Sequence, residues 1–300
     1  MNTPILVSPN TINAALETWF IQNIVFEGAP YFPGGYPNLL IDELAIYVEL
    51  YEIDTSIIRR LKSLGKKVVL YHMGDELADK NIFAYSQCDL VIRNYYFTQI
   101  IKPLSNPKIL WAPNGFRTGV GPRPAQTTKL GSHRRHLASF LGWLSNSNSY
   151  NNERKKFSDS AASCQPLLNL LGSTGFSNGY NVGLYSATME DSIFTPCPAG
   201  NSPETIRLYD ALECGCIPIS LNHDFLRSPQ ALAAIGAPPF PILENWSDLP
   251  DFLKLQKDLL ACDPEKINVL QKNCVNWWTD YKKYINSTIA NELKNLRNKN

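Results

Sequence analysis

Short apolar runs alternate with helical periodicity through the first third of the chain. Ile5–Val7, Ile24–Phe26, Leu44–Leu50, Lys67–His72, Cys88–Asn94 and Lys108–Ala112 read as strands. Thr11–Asn23, Asp54–Leu64 and Tyr96–Leu104 read as helices. This alternation predicts a parallel sheet covered by helices. Residues 116–135 lose the periodicity and carry Pro122 and Pro124 among polar residues, the pattern of a linker or long surface loop. A second alternating set follows. His136–Trp143 reads as a strand, Asn151–Leu171 as mainly helix with a kink at Pro166, and Asn181–Tyr185 as a short strand. Asp224–Ile235 and Ser247–Cys262 are helical, and Pro264–Asn300 is a long amphipathic helix in which Trp277 and Trp278 pack. The expected class is α/β with two Rossmann-like domains, 1–120 and 136–275. Residues 121–135 are expected as the linker, and 276–300 as a C-terminal helix directed back to the first domain. Solenoid repeats and low-complexity tracts are absent from the sequence.

Composition narrows the functional classes. The 300 residues are 44% hydrophobic and 18% charged, enough for a sizeable core. A formal net charge of +1 gives no electrostatic reason to expect a nucleic-acid partner. Apolar runs fall short of the roughly 20 residues that cross a bilayer, and MNTPILVSPN lacks the features of a signal peptide. A cytoplasmic setting follows as an expectation, with peripheral membrane contact left open. The seven cysteines show no zinc-type spacing, so free and mostly buried thiols are expected, with no metal site.

The segment Phe194–Leu221, FTPCPAGNSPETIRLYDALECGCIPISL, carries the most chemistry. The strand Ser192–Pro196 meets a Gly-Asn-Ser loop, which opens into a helix that stops at Gly215 and feeds the strand Cys216–Leu221. Ser202 is placed to cap that helix, with Pro203 at its first position. The free N–H groups of the helix start favour an anion. Helical spacing puts Arg207, Asp210 and Cys214 on one stripe and Leu208, Ala211, Leu212 and Gly215 on another, the packing face. Arg207 would fork onto phosphate oxygens. The competing reading is an ordinary amphipathic helix with an Arg207–Asp210 surface pair.

This segment resembles the C-terminal signature of the exostosin-like glycosyltransferases, family GT47 and its relatives, which include ribitol xylosyltransferase-like proteins. The matching residues are Pro198-Ala199-Gly200-Asn201, Thr205-Ile206-Arg207, Asp210-Ala211-Leu212 and Gly215-Cys216-Ile217-Pro218. Thr205 stands where serine is common, and Asp210 stands where glutamate is usual. A weaker likeness runs through Val68–Tyr96, Pro113-Asn114-Gly115, and Phe140-Leu141-Gly142 followed by Arg154. The resemblance implies a GT-B-like architecture with parallel sheets facing an interdomain cleft. It also implies an inverting glycosyltransferase, hexosyl or pentosyl, in polysaccharide or glycoconjugate synthesis. The donor would be a nucleotide-diphosphate sugar, UDP-linked in the first instance, and the acceptor a glycan hydroxyl. In that reading Asn201, Ser202 and Thr205 line the diphosphate at the helix start, and Arg207 and Arg154 balance its charge. Asp210 or Glu204 holds ribose or sugar hydroxyls. Positive side chains and a helix end can stabilise a leaving diphosphate, so no cofactor or metal is required.

Inversion at a sugar carbon needs a base for the acceptor hydroxyl. Tyr71-His72-Met73-Gly74-Asp75-Glu76 follows a predicted strand and offers Asp75 first, with Glu76 and His72 behind it. The alternative for Asp75 is a helix N-cap. Arg93 either faces the cleft or pairs with a core carboxylate. The basic knot His133-Arg134-Arg135-His136 reads as a solvated loop. Motifs of nicotinamide enzymes, P-loop NTPases, serine hydrolases and zinc proteases are absent. The rival functional class is a catalytically degenerate transferase that binds nucleotide or glycan as a partner protein. A glycoside hydrolase, with two carboxylates facing one bond, is a third class.

Overall fold

The computed structural model describes residues 3–8, 11, 15–33, 42–145, 148–175 and 180–298. Parts of the expected helix Thr11–Asn23 and of the loop before Arg154, and the last two residues, lie outside them. The chain divides into two compact units, one of residues 1–114 with 282–300 and one of residues 115–281.

The first unit holds six parallel strands: β1 (Ile5–Val7), β2 (Tyr31–Pro33), β3 (Leu44–Leu50), β4 (Lys67–Met73), β5 (Leu90–Arg93) and β6 (Lys108–Trp111), in the order β2-β1-β3-β4-β5-β6. LAIYVEL in β3 and KVVLYHM in β4 are nearly continuous apolar runs, as expected of strands covered on both faces. Helix α1 (Thr55–Ser63) begins where the Asp54 side chain accepts from Ser56 N at 2.9 Å. It ends before Gly65, whose φ of +73° suits the reversal. Its Ile58 and Leu61 pack with Tyr47, Val68, Leu70 and Tyr85.

The second unit holds β7 (His136–Trp143), β8 (Leu168–Ser173), β9 (Ser192–Pro196), β10 (Ile217–Leu221) and β11 (Ile242–Leu243), parallel in the order β11-β10-β9-β7-β8. Its helices are α2 (Glu153–Ala161), α3 (Val182–Glu190), α4 (Ile206–Glu213), α5 (Pro229–Ile235) and α6 (Leu249–Cys262). The chain passes from β7 outward to β8, then back to β9 on the other side. The carboxyl ends of β7 and β9 therefore flank a topological switch point, where open α/β sheets hold ligands.

The last helix, α7 (Pro264–Asn298), contributes to both units. Ile267, Gln271, Cys274, Trp278 and Tyr281 form its buried stripe in the second unit. Trp278 donates to Glu213 Oε2 at 2.7 Å. In the first unit Ile285, Ile289 and Leu293 continue the stripe. There Lys108 pairs with Glu292 at 2.7 Å, Lys67 Nζ donates to Leu296 O at 2.9 Å, and Arg297 pairs with Asp42 at 2.9 Å.

Several local expectations change. Ile24–Phe26 is not a strand. Ile21–Val25 is helical, with Phe20, Ile21, Val25 and Phe26 buried, and Tyr31–Pro33 supplies the edge strand instead. Tyr96–Leu104 forms turns, because Lys102 and Ile109 exchange backbone hydrogen bonds across an isolated bridge. The helical reading of 151–171 stops at Ala161, with a short 3-10 turn to Cys164. Leu168–Ser173 is a strand because pairing with β7, from Ala138↔Leu168 to Trp143↔Ser173, decides between the two periods that its apolar residues fit. Asn181 is the N-cap of α3, accepting from Leu184 N at 2.8 Å, so Asn181–Tyr185 opens a helix.

The stretch 121–135, expected as a linker, lies within the second unit. Gly131 N donates to Gln271 Oε1 at 2.7 Å and Ser132 N to Asn268 Oδ1 at 3.0 Å. Arg134, expected in a solvated loop, is buried. Its guanidinium donates to the carbonyls of Lys129, Met189, Ser192 and Cys214. Two of these carbonyls lie at the C-terminal ends of α3 and α4, where a cation is favoured.

Candidate functional site

The carboxyl edge of the second sheet gathers arginines around two aromatic rings. Gly142 and Trp143 close β7, and the signature loop 197–205 leaves β9. Arg207, in the first turn of α4, places its guanidinium carbon 4.2 Å from the Phe140 ring centroid and 5.4 Å from that of Tyr185. A Cβ on Gly142 would sit 2.4 Å from Arg207 Nη2, so only glycine leaves room for this placement. Arg207 is 7% exposed, and its Nε and Nη1 make no hydrogen bond among the described residues. A buried guanidinium without partners is costly and is offset well by an anion with several acceptor oxygens.

Arg154 lies beside it, its guanidinium carbon 5.5 Å from the Phe140 ring centroid. Its Nε donates to Ala199 O at 2.9 Å and its Nη1 to Trp143 O at 3.0 Å. Burial first, and the Arg207 charge among the other causes, pull its pKa below the usual arginine range. The preceding residue, Glu153, accepts from Ala199 N at 2.9 Å. Consecutive residues of α2 thus hold the N–H and the carbonyl of Ala199, on successive peptides of the signature loop. Glu153 Oε1 also accepts from Trp246 Nε1 at 3.1 Å, and Oε2 lies 3.2 Å from His223 Nε2.

The remaining expected donor residues divide. Helix α4 begins later than the cap at Ser202 predicts. Thr205 is its N-cap, extended at φ −98° and ψ 135°, with no side-chain cap bond. Residues 201–204 form bends because Ser202 Oγ accepts from Glu204 N at 3.3 Å. Ser202 and Thr205 are buried beside the helix start, and Asn201 is exposed. Glu204 is buried and accepts from the Tyr209 hydroxyl at 2.9 Å. Asp210 does not offer itself to ribose. It is fully buried, and its two oxygens accept from Arg117 N at 2.8 Å and Arg117 Nε at 2.9 Å. Arg117 in turn lies 4.0 Å over Tyr185. The Asp210 carboxylate therefore orders the aromatic shelf under Arg207 and is not a surface partner of Arg207.

In the first unit, the loop after β4 separates the three base candidates. His72 is buried. Its Nε2 meets the Tyr51 carbonyl at 2.6 Å, and its Nδ1 meets the Tyr85 hydroxyl at 2.7 Å. A carbonyl only accepts, so Nε2 carries the proton and Nδ1 accepts from Tyr85. Burial lowers the His72 pKa and keeps it neutral. Asp75 is 1% exposed. Oδ1 accepts from Asp79 N and Lys80 N, and Oδ2 faces Arg93 Nη1 at 3.2 Å. No helix starts at Asp75, since residues 76–82 hold only turns and bends, so it closes a turn instead of capping a helix and forms a core pair with Arg93. Glu76 is partly exposed and accepts from the Tyr95 hydroxyl at 3.2 Å. The turn that carries it needs Gly74, at φ +75°, where a Cβ would meet Leu50 and Tyr51 at 2.7 and 2.9 Å. Among the described residues, no three His, Cys, Asp or Glu side chains gather to hold a metal ion, and no helix is long and apolar enough to cross a membrane.

Sequence reasoning did not single out Glu153, Arg117, Tyr150, Tyr185 or His223. His223 follows β10 as the signature loop follows β9, and that strand-end position is the signal that marks it.

Two parallel-sheet α/β units in this arrangement of strands define a GT-B-like fold. A trehalose-phosphate synthase (UDP-forming) from Burkholderia vietnamiensis matches it with a TM-score of 0.52 at 9% identity, over 98% of this chain and 100% of that one. A glycosyltransferase from Rickettsia africae ESF-5 matches with a TM-score of 0.50 at 11% identity, over 100% and 99% of the two chains. At such identities the likeness speaks for fold alone. The chain belongs to the family described as the RXYLT1 C-terminal domain, whose model matches residues 122–296. Ribitol-5-phosphate xylosyltransferase 1 of Homo sapiens is 29% identical over 124 residues, 37% of this chain and 26% of that protein. The Mus musculus protein of the same name is 29% identical over 109 residues, 33% of this chain and 24% of its own length. The chain spans about a quarter of the length of these curated relatives.

Proposed function

We propose that the chain is an inverting glycosyltransferase that takes its sugar from a nucleotide-diphosphate donor, UDP-linked in the first instance, and is related to the exostosin-like group. The observation that carries this reading is Arg207, buried at the sheet's switch point with two nitrogens that make no hydrogen bond among the described residues. A diphosphate supplies the missing acceptors, and the neighbouring charge of Arg154 adds to its attraction. Asn201, Ser202, Thr205 and the start of α4 line the same anion, and Glu204 is the remaining candidate for a donor hydroxyl. As the bond to the sugar breaks, charge grows on the diphosphate, and fixed guanidinium groups stabilise it there. The acceptor hydroxyl must lose its proton to a base. Glu76 is the accessible carboxylate of the three candidates.

Thermal unfolding with and without UDP, GDP, CDP and inorganic pyrophosphate tests the reading. A ligand at a hundred times its dissociation constant adds about 2.7 kcal/mol of stability. The expected result is stabilisation by one nucleoside diphosphate that Arg207→Ala removes. If none of these ligands stabilises the protein, the donor reading fails. The names of the relatives make xylose the first donor sugar to try, and a phosphorylated polyol the first acceptor. Burial of Asp75 and His72, the first ion-paired to Arg93 and the second held at both ring nitrogens, favours a second reading, a degenerate transferase that binds nucleotide or glycan without turnover. Donor binding with neither transfer nor donor hydrolysis would select it.

A further inference from the structure

We propose that Tyr150 and His223 form a subsite for the base of the nucleotide, next to the arginines that take its diphosphate. The proposal rests on the diphosphate reading above.

Tyr150 is 40% exposed, unusual for a ring held so firmly by its backbone. Its N–H donates to Gly200 O at 2.8 Å, on the peptide after the one whose carbonyl Arg154 holds. The turn that presents it is built from Asn151 and Asn152, both left-handed at φ 50° and 55°. Asparagine tolerates this region better than most residues, yet consecutive left-handed residues outside glycine mark a backbone held for a purpose.

His223 stands behind that ring. It leaves the end of β10, the strand beside β9, and is 8% exposed. Phe225 stacks on it with centroids 6.0 Å apart at 15°, and Tyr150 meets it edge-on at 6.1 Å and 78°. Its Nε2 is 3.2 Å from Glu153 Oε2, and makes no hydrogen bond among the described residues. Buried polar groups are nearly always hydrogen-bonded, and an exception in a candidate site points to an absent partner.

A nucleobase suits both features. Its flat face stacks on an exposed tyrosine, and its edge carries donors and acceptors for an imidazole. Such stacking is tolerant of base identity, whereas a hydrogen bond from His223 discriminates between bases. The position is also right. Arg154 and Tyr150 hold adjacent peptides of one loop, and His223 stands by Glu153, which holds the preceding one, so a single nucleotide spans them.

Binding of pyrophosphate and of the best-stabilising nucleoside diphosphate to the full chain separates the parts. Tyr150→Ala and His223→Gln should each weaken the nucleotide by about tenfold, the size of one lost base-stacking contact. Both should leave pyrophosphate affinity unchanged, and Tyr150→Phe should bind like the original. Equal weakening of pyrophosphate would mean that these residues only shape the loop, and would overturn the proposal. So would unchanged nucleotide affinity in Tyr150→Ala, whose half-exposed ring can be removed without unfolding the unit. Loss confined to the nucleotide-sugar, with the free nucleotide unaffected, would assign Tyr150 and His223 to the sugar and also overturn it. If Arg207→Ala binds pyrophosphate as well as the original does, the donor reading itself has failed, and the base subsite falls with it.

Discussion

The guanidinium of Arg207 lies face-on over Phe140, 4.2 Å from the ring centroid, with Gly142 leaving the space beside it. The ring holds the charge by cation–π attraction without occupying its N–H groups. This leaves donors free for a ligand. Gly142→Ala should push the Nη2 end aside. We expect pyrophosphate affinity to fall about tenfold or more, the value of one charge-assisted hydrogen bond. Isothermal calorimetry with pyrophosphate measures it, and unchanged affinity would separate Gly142 from the site.

Arg207→Met addresses the cost of the same charge. Replacing a buried, unpaired cation by an apolar chain of similar length is neutral or stabilising. The unliganded variant should therefore unfold at the same temperature or higher, while losing its response to nucleotide. A variant that unfolds much earlier would show that Arg207 serves the fold.

Arg134 predicts the opposite. Its four carbonyl partners come from the loop, α3, β9 and α4, and burial lowers its pKa. Arg134→Ala leaves those carbonyls unmet and should cost about 3–5 kcal/mol. Chemical denaturation of the variant checks the figure. Arg134→Lys should recover part of it, because one ammonium reaches fewer of the carbonyls.

His72 gives the first unit a dependence on pH. Its folded pKa lies below the unfolded value of 6.5, because burial disfavours the imidazolium. Between those values the unfolded chain binds the extra proton, so stability rises with pH. The contribution is present above pH 6.5 and is lost as pH falls below it. Unfolding midpoints measured from pH 7.5 down to pH 5, as a rough span around the reference value, should decline. His72→Gln should flatten that decline.

Asp75 and Glu76 should part company. Glu76→Gln should cut transfer by about 10²–10⁴, the span of general-base catalysis, with little effect on folding. Asp75→Asn should cost about 3–5 kcal/mol of stability by stranding Arg93. Rates with a donor and acceptor in hand, beside melting curves, distinguish the two.

The strands of both sheets were legible where apolar runs were long and bounded, as in Leu44–Leu50 and His136–Trp143. Leu168–Ser173 was not, because its leucines satisfy a helical period as well as a strand, and only pairing with β7 decides. The stripe of Arg207 and Asp210 was visible in the helical spacing. Their separation was not. Asp210 turns to Arg117, a residue 93 positions earlier in a stretch without periodicity. His223 and Tyr150 were hidden for a similar reason. Each looks like an ordinary loop residue until the order β11-β10-β9-β7-β8 places β10 beside β9.

The first unit takes residues 1–114 and then waits for 282–300. Arg297 reaches Asp42, and Lys67 reaches Leu296 O, only after residues 115–281 have been made. During synthesis, then, the unit encoded second has all its own residues before the unit encoded first does. Removing residues 282–298 would unsettle strands β4 and β6, far from the cut in sequence, while residues 115–281 remain as the second unit.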